Sequence, residues 1–143
     1  MICLKNAIVT VIGIIGSFIA SMLGGWDSAL ITLLIFMGAD YITGLIVAGI
    51  FKKSNKSDNG GLESKAGWKG LTRKGMTLLI VLVAARLDLL LDASYIRDAV
   101  CIAFIANETI SIVENAGLMG VPIPKVITNA IAVLKNKNKD NEE

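Results

Sequence analysis

Six polar side chains interrupt the apolar stretches of this 143-residue chain: Asp40, Arg86, Asp88, Asn107, Glu108 and Glu114. A charged side chain at the centre of a hydrocarbon layer costs about 2.5–3.5 kcal/mol on insertion scales, so such groups are paired, wetted or functional. Three chemistries are open to them: ion pairs that staple helices together, the polar lining of an aqueous lumen, and coordination of a passing cation. Arg86 and Asp88 have a further course, reaching to the membrane surface with no specific role. Catalysis by a familiar set is not among the options. The chain has no His, and its two Cys, Cys3 and Cys101, stand far apart, which excludes a zinc site or a Ser-His-Asp triad. The cysteines read as small apolar fillers. No cofactor, metal or enzymatic activity is expected.

Four apolar segments must hold the six groups, at residues 6–26, 28–51, 75–91 and 99–119. The hydrophobic fraction of 54% and mean hydropathy of +0.66 are too high for an ordinary soluble domain. The first segment is uncharged and about 31 Å long as a helix, enough to cross a bilayer. Its flanks make a poor signal peptide, with Lys5 alone before it and Ser21-Met22-Leu23-Gly24 near its end. Gly24-Gly25-Trp26-Asp27 is the only break before the second segment, so the two form a tight hairpin. Residues 52–74 are basic, with Lys52, Lys53, Lys56, Lys65, Lys69, Arg73 and Lys74. Gly60, Gly61, Gly67 and Gly70 discourage a long helix there, and the stretch reads as a polar loop anchored by Trp68.

With four spans, Lys5, the seven basic residues of the loop, and Lys125, Lys135, Lys137 and Lys139 share one side, against Arg97 alone on the other. Positive charge stays inside. The expectation is an all-α integral membrane protein with four transmembrane helices and both termini cytoplasmic, multi-pass in the bacterial cytoplasmic membrane. Residues 1–124 form its membrane domain. Residues 125–143 form a tail, amphipathic through Val126, Ile127, Ala130, Ile131 and Leu134, with a disordered end.

This topology puts Asp40 roughly 18 Å and Glu108 roughly 14 Å below the outer face, and Arg86 roughly 8 Å from it. Side chains lean toward their own helix N-terminus, which brings the three to a common depth. Arg86 is then expected to pair with Glu108 first and Asp40 second. Small residues add a packing signal. Gly13, Ser17, Ser21 and Gly25 recur every four residues on the first helix, and Gly44 and Ala48 share a face with Asp40. Such ridges let helices approach closely, between protomers or within one.

The chain resembles the toxin-secretion/phage-lysis holin family. The likeness lies in Asp40-Tyr41-Ile42-Thr43-Gly44, in the basic glycine-rich loop, and in the run from Asn107-Glu108-Thr109 through Glu114-Asn115-Ala116-Gly117 to Gly120-Val121-Pro122-Ile123-Pro124 before a lysine-ended tail. It implies a non-enzymatic protein that oligomerises with itself in the lipid bilayer and opens a lesion. The lesion releases an endolysin for host lysis or exports a large toxin, and no nucleic acid is involved. Two other readings stay open: a small ion or solute transporter using Asp40 or Glu108, and a membrane adaptor without a pore, whose basic loop binds anionic lipid or a partner.

Overall fold

The computed structural model describes residues 1–140 and is all-α. The order is α1 (Ile2–Met22), α2 (Ser28–Ile46) continued by a π-helical turn (Val47–Phe51), α3 (Ser64–Leu91), α4 (Ile96–Leu118) and α5 (Lys125–Asp140). The expected disordered end is helical as far as Asp140; its last three residues, 141–143, lie outside the described residues.

Four transmembrane helices are not what the structure carries. Among the described residues, two helices are long and apolar enough to cross a membrane, Ile2–Met22 and Ser28–Phe51, each with a mean hydropathy of 2.0. The other two fall short because of where their charges sit. In α3 the uncharged run lies between Lys74 and Arg86, about 17 Å of helix where a bilayer core needs about 30 Å. In α4 the interruptions are Arg97, Asp98, Glu108 and Glu114.

The basic segment also departs from expectation. It is irregular only as far as Glu63, and residues from Ser64 onward are the first turns of α3. Gly67 and Gly70 each lower helix propensity by about 1 kcal/mol relative to Ala, but tertiary contact overrides this: the side of the helix carrying them lies against Tyr41.

Three helices end in the same hydrogen-bonded turn. Gly25 N–H donates to Ala20 O at 2.8 Å and Gly24 N–H to Ser21 O at 3.2 Å, closing α1. Val121 N–H to Ala116 O and Gly120 N–H to Gly117 O close α4 in the same way, and Ala93 N–H to Asp88 O closes α3. The motif needs a left-handed residue, usually Gly. Gly24 and Gly120 supply it at φ 96° and 83°, whereas α3 uses Asp92 at φ 50°. Asp92→Gly is therefore expected to stabilise the chain by about 0.5–1 kcal/mol, measured as a raised melting midpoint in detergent.

The chain divides into two compact units. One comprises Met1–Ile35 and Leu71–Ile105. Its buried side chains are chiefly Leu30, Leu33, Val81, Ala84, Ala85 and Cys101. α1 adds only Ala20; Ile8, Ile12, Ile15, Phe18 and Ile19 are all exposed. The other unit comprises Phe36–Gly70 and the chain from Ala106 onward. Met37, Val47 and Ala48 are buried there, together with the polar Asp40, Glu108 and Asn115.

Candidate functional site

Buried polar side chains cluster in both units. In the unit built on Phe36–Gly70, the cluster forms around Asp40, which is 5% exposed. Asn115, equally buried, turns its side-chain amide to it. The Nδ2 donates to Asp40 Oδ1 at 3.2 Å, to Asp40 O at 3.3 Å and to Thr43 Oγ1 at 2.9 Å. Thr43 can accept because its own hydroxyl proton goes to the helix backbone, at Ala39 O 2.8 Å away. Gly44, one turn after Asp40, faces the same amide; a Cβ there would stand 3.8 Å from it, in ordinary contact. On the solvent side, Lys56 Nζ lies 3.9 Å from Asp40 Oδ1 with its side chain 54% exposed. The irregular segment that carries Lys56 leaves the π-helical turn through a left-handed Lys52 and is pinned by Ser54 N–H donating to Gly60 O.

In the other unit the cluster forms around Arg97. The guanidinium donates to both carboxylate oxygens of Asp27, Nη2 reaching Oδ1 at 3.1 Å. It also donates to the backbone oxygens of Leu23 and Gly25 and to Asp98 Oδ1. Two backbone oxygens of the turn after α1 are thus held by one side chain. Asp27 in turn begins α2, accepting from Leu30 N–H at 2.9 Å. Hydrogen bonding from Arg97 holds the Asp27 carboxyl below the ordinary carboxylate value, against a smaller opposing effect of burial. Asp88, at the end of α3, opens α4 by accepting from the N–H groups of Ile96 and Arg97 at 3.0 and 2.9 Å. A negative group at a helix N-terminus is favourable there.

Gly24 shows how tight this cluster is. A Cβ on Gly24 would stand 2.5 Å from Arg97 Nε, whereas one on Gly25 would meet nothing within 4 Å, though both glycines have φ near 95°. Left-handed backbone alone costs a residue with a Cβ roughly 1–2 kcal/mol. Gly25→Ala is expected to cost about that much, and Gly24→Ala more, because it also displaces Arg97. The two melting midpoints, measured side by side in detergent, check the difference.

The sequence-derived candidates divide between roles. Asp40 and Glu108 are buried, 5% and 6% exposed. Asp88 is a helix-opening acceptor rather than a free intramembrane charge. Asn107 and Glu114 are exposed on α4. Arg86, the expected partner of a buried acid, is exposed and enters no ion pair among the described residues; the buried arginine is Arg97. The reason is local, since Arg86 follows Ala84 and Ala85, which are buried at 3% and 5% and turn it outward. On α1, Gly13, Ser17 and Ser21 are exposed, and a Cβ on Gly13 would meet nothing within 4 Å. Gly25 is part of the turn, not of that ridge. Of the basic residues, Lys52, Lys53, Lys65, Lys69 and Arg73 are exposed, while Lys74 is half-buried. Sequence reasoning missed Arg97, Asp27 and Asn115. The one available signal was that Arg97 and Asp27 are opposite charges flanking the two tight turns.

The profile of the bacteriophage holin family matches residues 17–136. Among curated proteins, an uncharacterized protein of Clostridium perfringens strain 13 is 40% identical over 140 residues, covering 96% of this chain and 95% of its own length. A 14.9 kDa protein encoded 3′ of nagH in Clostridium perfringens, also uncharacterized, is 42% identical, with 86% and 89% covered. The "probable holin" of Bacillus phage phi105 is 37% identical over 105 residues, with 73% and 72% covered. No solved structure matches.

Proposed function

We propose, from the premise that this chain belongs to the bacteriophage holin family, that it accumulates in the bacterial cytoplasmic membrane, associates with itself and opens a lesion through which a protein passes. The cargo is an endolysin acting on the cell wall or a large toxin. The chain supplies passage and catalyses no reaction.

One observation carries this reading. α1 has a mean hydropathy of 2.0, and none of its most apolar stretch is buried within the chain. In water such a helix would expose a continuous apolar cylinder about 30 Å long. Lipid, or lipid together with other copies of the chain, is the environment that accommodates it. Helices α1 and α2, joined by the turn at 23–27, enter the membrane as a hairpin, with Lys5 at one end and Lys52 and Lys53 at the other. Both ends of the hairpin are cytoplasmic by the positive-inside rule. The exposed Gly13-Ser17-Ser21 side of α1 offers a close-packing surface between copies.

The test is the size of what escapes. Cells expressing the chain together with a folded cytoplasmic reporter enzyme should release the enzyme into the medium. Leakage of potassium without the enzyme would turn the assignment to a channel or transporter, and no leakage of either would turn it to an adaptor.

A further inference from the structure

We propose that residues 52–63 form a re-entrant segment lining a water-filled vestibule, which opens on the cytoplasmic side and reaches Asp40 near the middle of the bilayer. The proposal rests on the membrane reading above and goes beyond it by placing water beside a named part of the chain, at a named depth.

The span Ser28–Phe51 is about 36 Å of helix against a hydrocarbon core of about 30 Å. Asp40 then lies roughly 13 Å inside the core from its cytoplasmic edge. After Phe51 the chain turns through a left-handed Lys52, and Lys56 brings its Nζ to 3.9 Å from Asp40 Oδ1. A lysine near a helix end in lipid ordinarily extends its ammonium outward to the interface. Lys56 does the reverse and carries its charge inward, yet its side chain is 54% exposed. Hydrocarbon does not accommodate that exposed part. An ionisable group at this depth faces protein or a water-filled cavity, and irregular backbone is tolerated there only on the same terms. Asn55, Asp58 and Asn59 of the segment are exposed as well. A run of exposed Asn, Lys and Asp matches water, and matches neither lipid nor an apolar helix of a second copy.

The first turns of α3 agree. A Cβ at Gly67 would stand 3.5 Å from the Tyr41 hydroxyl, and one at Gly70 would stand 3.8 Å from its ring, so these turns lie beside the residue that follows Asp40. Lys65 and Lys69, which they carry, are exposed, adding two cations near that level. The other side of α2 differs. Ile42, two residues on from Asp40 and about 200° around the helix, is 58% exposed and suits lipid. At one depth, α2 therefore divides a wet side from a lipid side.

The experiment uses the full chain with Cys3→Ser and Cys101→Ala, reconstituted into phosphatidylcholine vesicles, with Lys56→Cys or Ile42→Cys as the single thiol. Water-soluble thiosulfonates, one cationic and one anionic, are supplied on both sides of the membrane, and the rates of modification are compared at unchanged helix content. Lys56→Cys should react with both reagents and Ile42→Cys with neither. Adding Asp40→Asn to Lys56→Cys should lower the cationic-to-anionic rate ratio by about tenfold, the effect of one unit charge about 6 Å away in water on two oppositely charged reagents. An unreactive Lys56→Cys overturns the vestibule and leaves the membrane reading standing. So does a reactive Lys56→Cys whose rate ratio ignores Asp40→Asn, since the segment then lies at the membrane surface, away from Asp40. Reaction at Ile42→Cys as fast as at Lys56→Cys removes α2 from the bilayer at this level and overturns the membrane reading together with the vestibule.

Discussion

Arg97→Met should lower stability more than any other single substitution of a charged residue in the first unit, by about 3 kcal/mol, the lower end of the range for breaking a buried charged pair. The side chain is only 7% exposed and has five oxygen partners on Leu23, Gly25, Asp27 and Asp98. Methionine restores the volume and none of the donors. The Leu23 and Gly25 carbonyls then lose the partner that compensates their burial, while Asp27, whose side chain is 44% exposed, regains water. That rehydration is why the cost falls at the low end. Arg97→Lys should recover only part of the loss, since an ammonium cannot reproduce the two-pronged contact with Asp27. Melting midpoints in detergent, with membrane levels by blot, check both.

The same pair sets a pH dependence. The folded Asp27 carboxyl titrates below its unfolded value because Arg97 holds the charged form. A depressed carboxylate contributes stability that is fully present above the unfolded value and is lost as pH falls through the folded one. Stability should thus be flat near neutrality with respect to this group and decline from about pH 4 downward. Arg97 is shifted upward, so its own contribution is present throughout the usable range. In Arg97→Met the acid decline should shrink, because the largest cause of the lowered Asp27 value is removed.

The helices and the hairpin were legible in the sequence because apolar length and turn glycines are local signals. The sequence predicts spans at residues 6–26 and 28–51, and Ile2–Met22 and Ser28–Phe51 have the length and hydropathy for it. What failed needed tertiary knowledge. The glycines at 67 and 70 suggested a loop, and only the nearby Tyr41 explains why helix persists there. Segments 75–91 and 99–119 were apolar enough to invite a span, but spacing alone does not reveal that Asp88 serves a turn or that Glu108 is buried. Asp88 looked like an intramembrane charge and is the acceptor that opens α4. Arg86 seemed the natural partner for a buried acid, yet the arginine that is buried is Arg97, eleven residues on and outside the four apolar segments. Asp40 was found because a carboxylate amid apolar residues is conspicuous. Asn115 was not, because a neutral amide draws no attention until its geometry is seen.

That amide carries the second large effect. Asn115→Leu should cost about 1.5–3 kcal/mol, the range for losing a hydrogen bond to a charged group. The substitution keeps the bulk and removes the donor that serves Asp40 Oδ1, the Asp40 carbonyl and Thr43 Oγ1. Thr43 cannot substitute, since its proton is committed to the α2 backbone. Asp40→Asn should be much milder, because its side-chain oxygen still accepts from Asn115 and a buried charge is removed. Lys56→Gln should cost no more than about 1 kcal/mol, as befits an exposed cation at 3.9 Å. The order Asn115→Leu, then Asp40→Asn and Lys56→Gln, is what distinguishes a cluster held by the amide from one held by the ion pair. Unfolding in graded denaturing detergent, read by loss of helical signal, measures all three. If Lys56→Gln were the costliest, the ion pair and not the Asn115 amide would be what holds Asp40 in place.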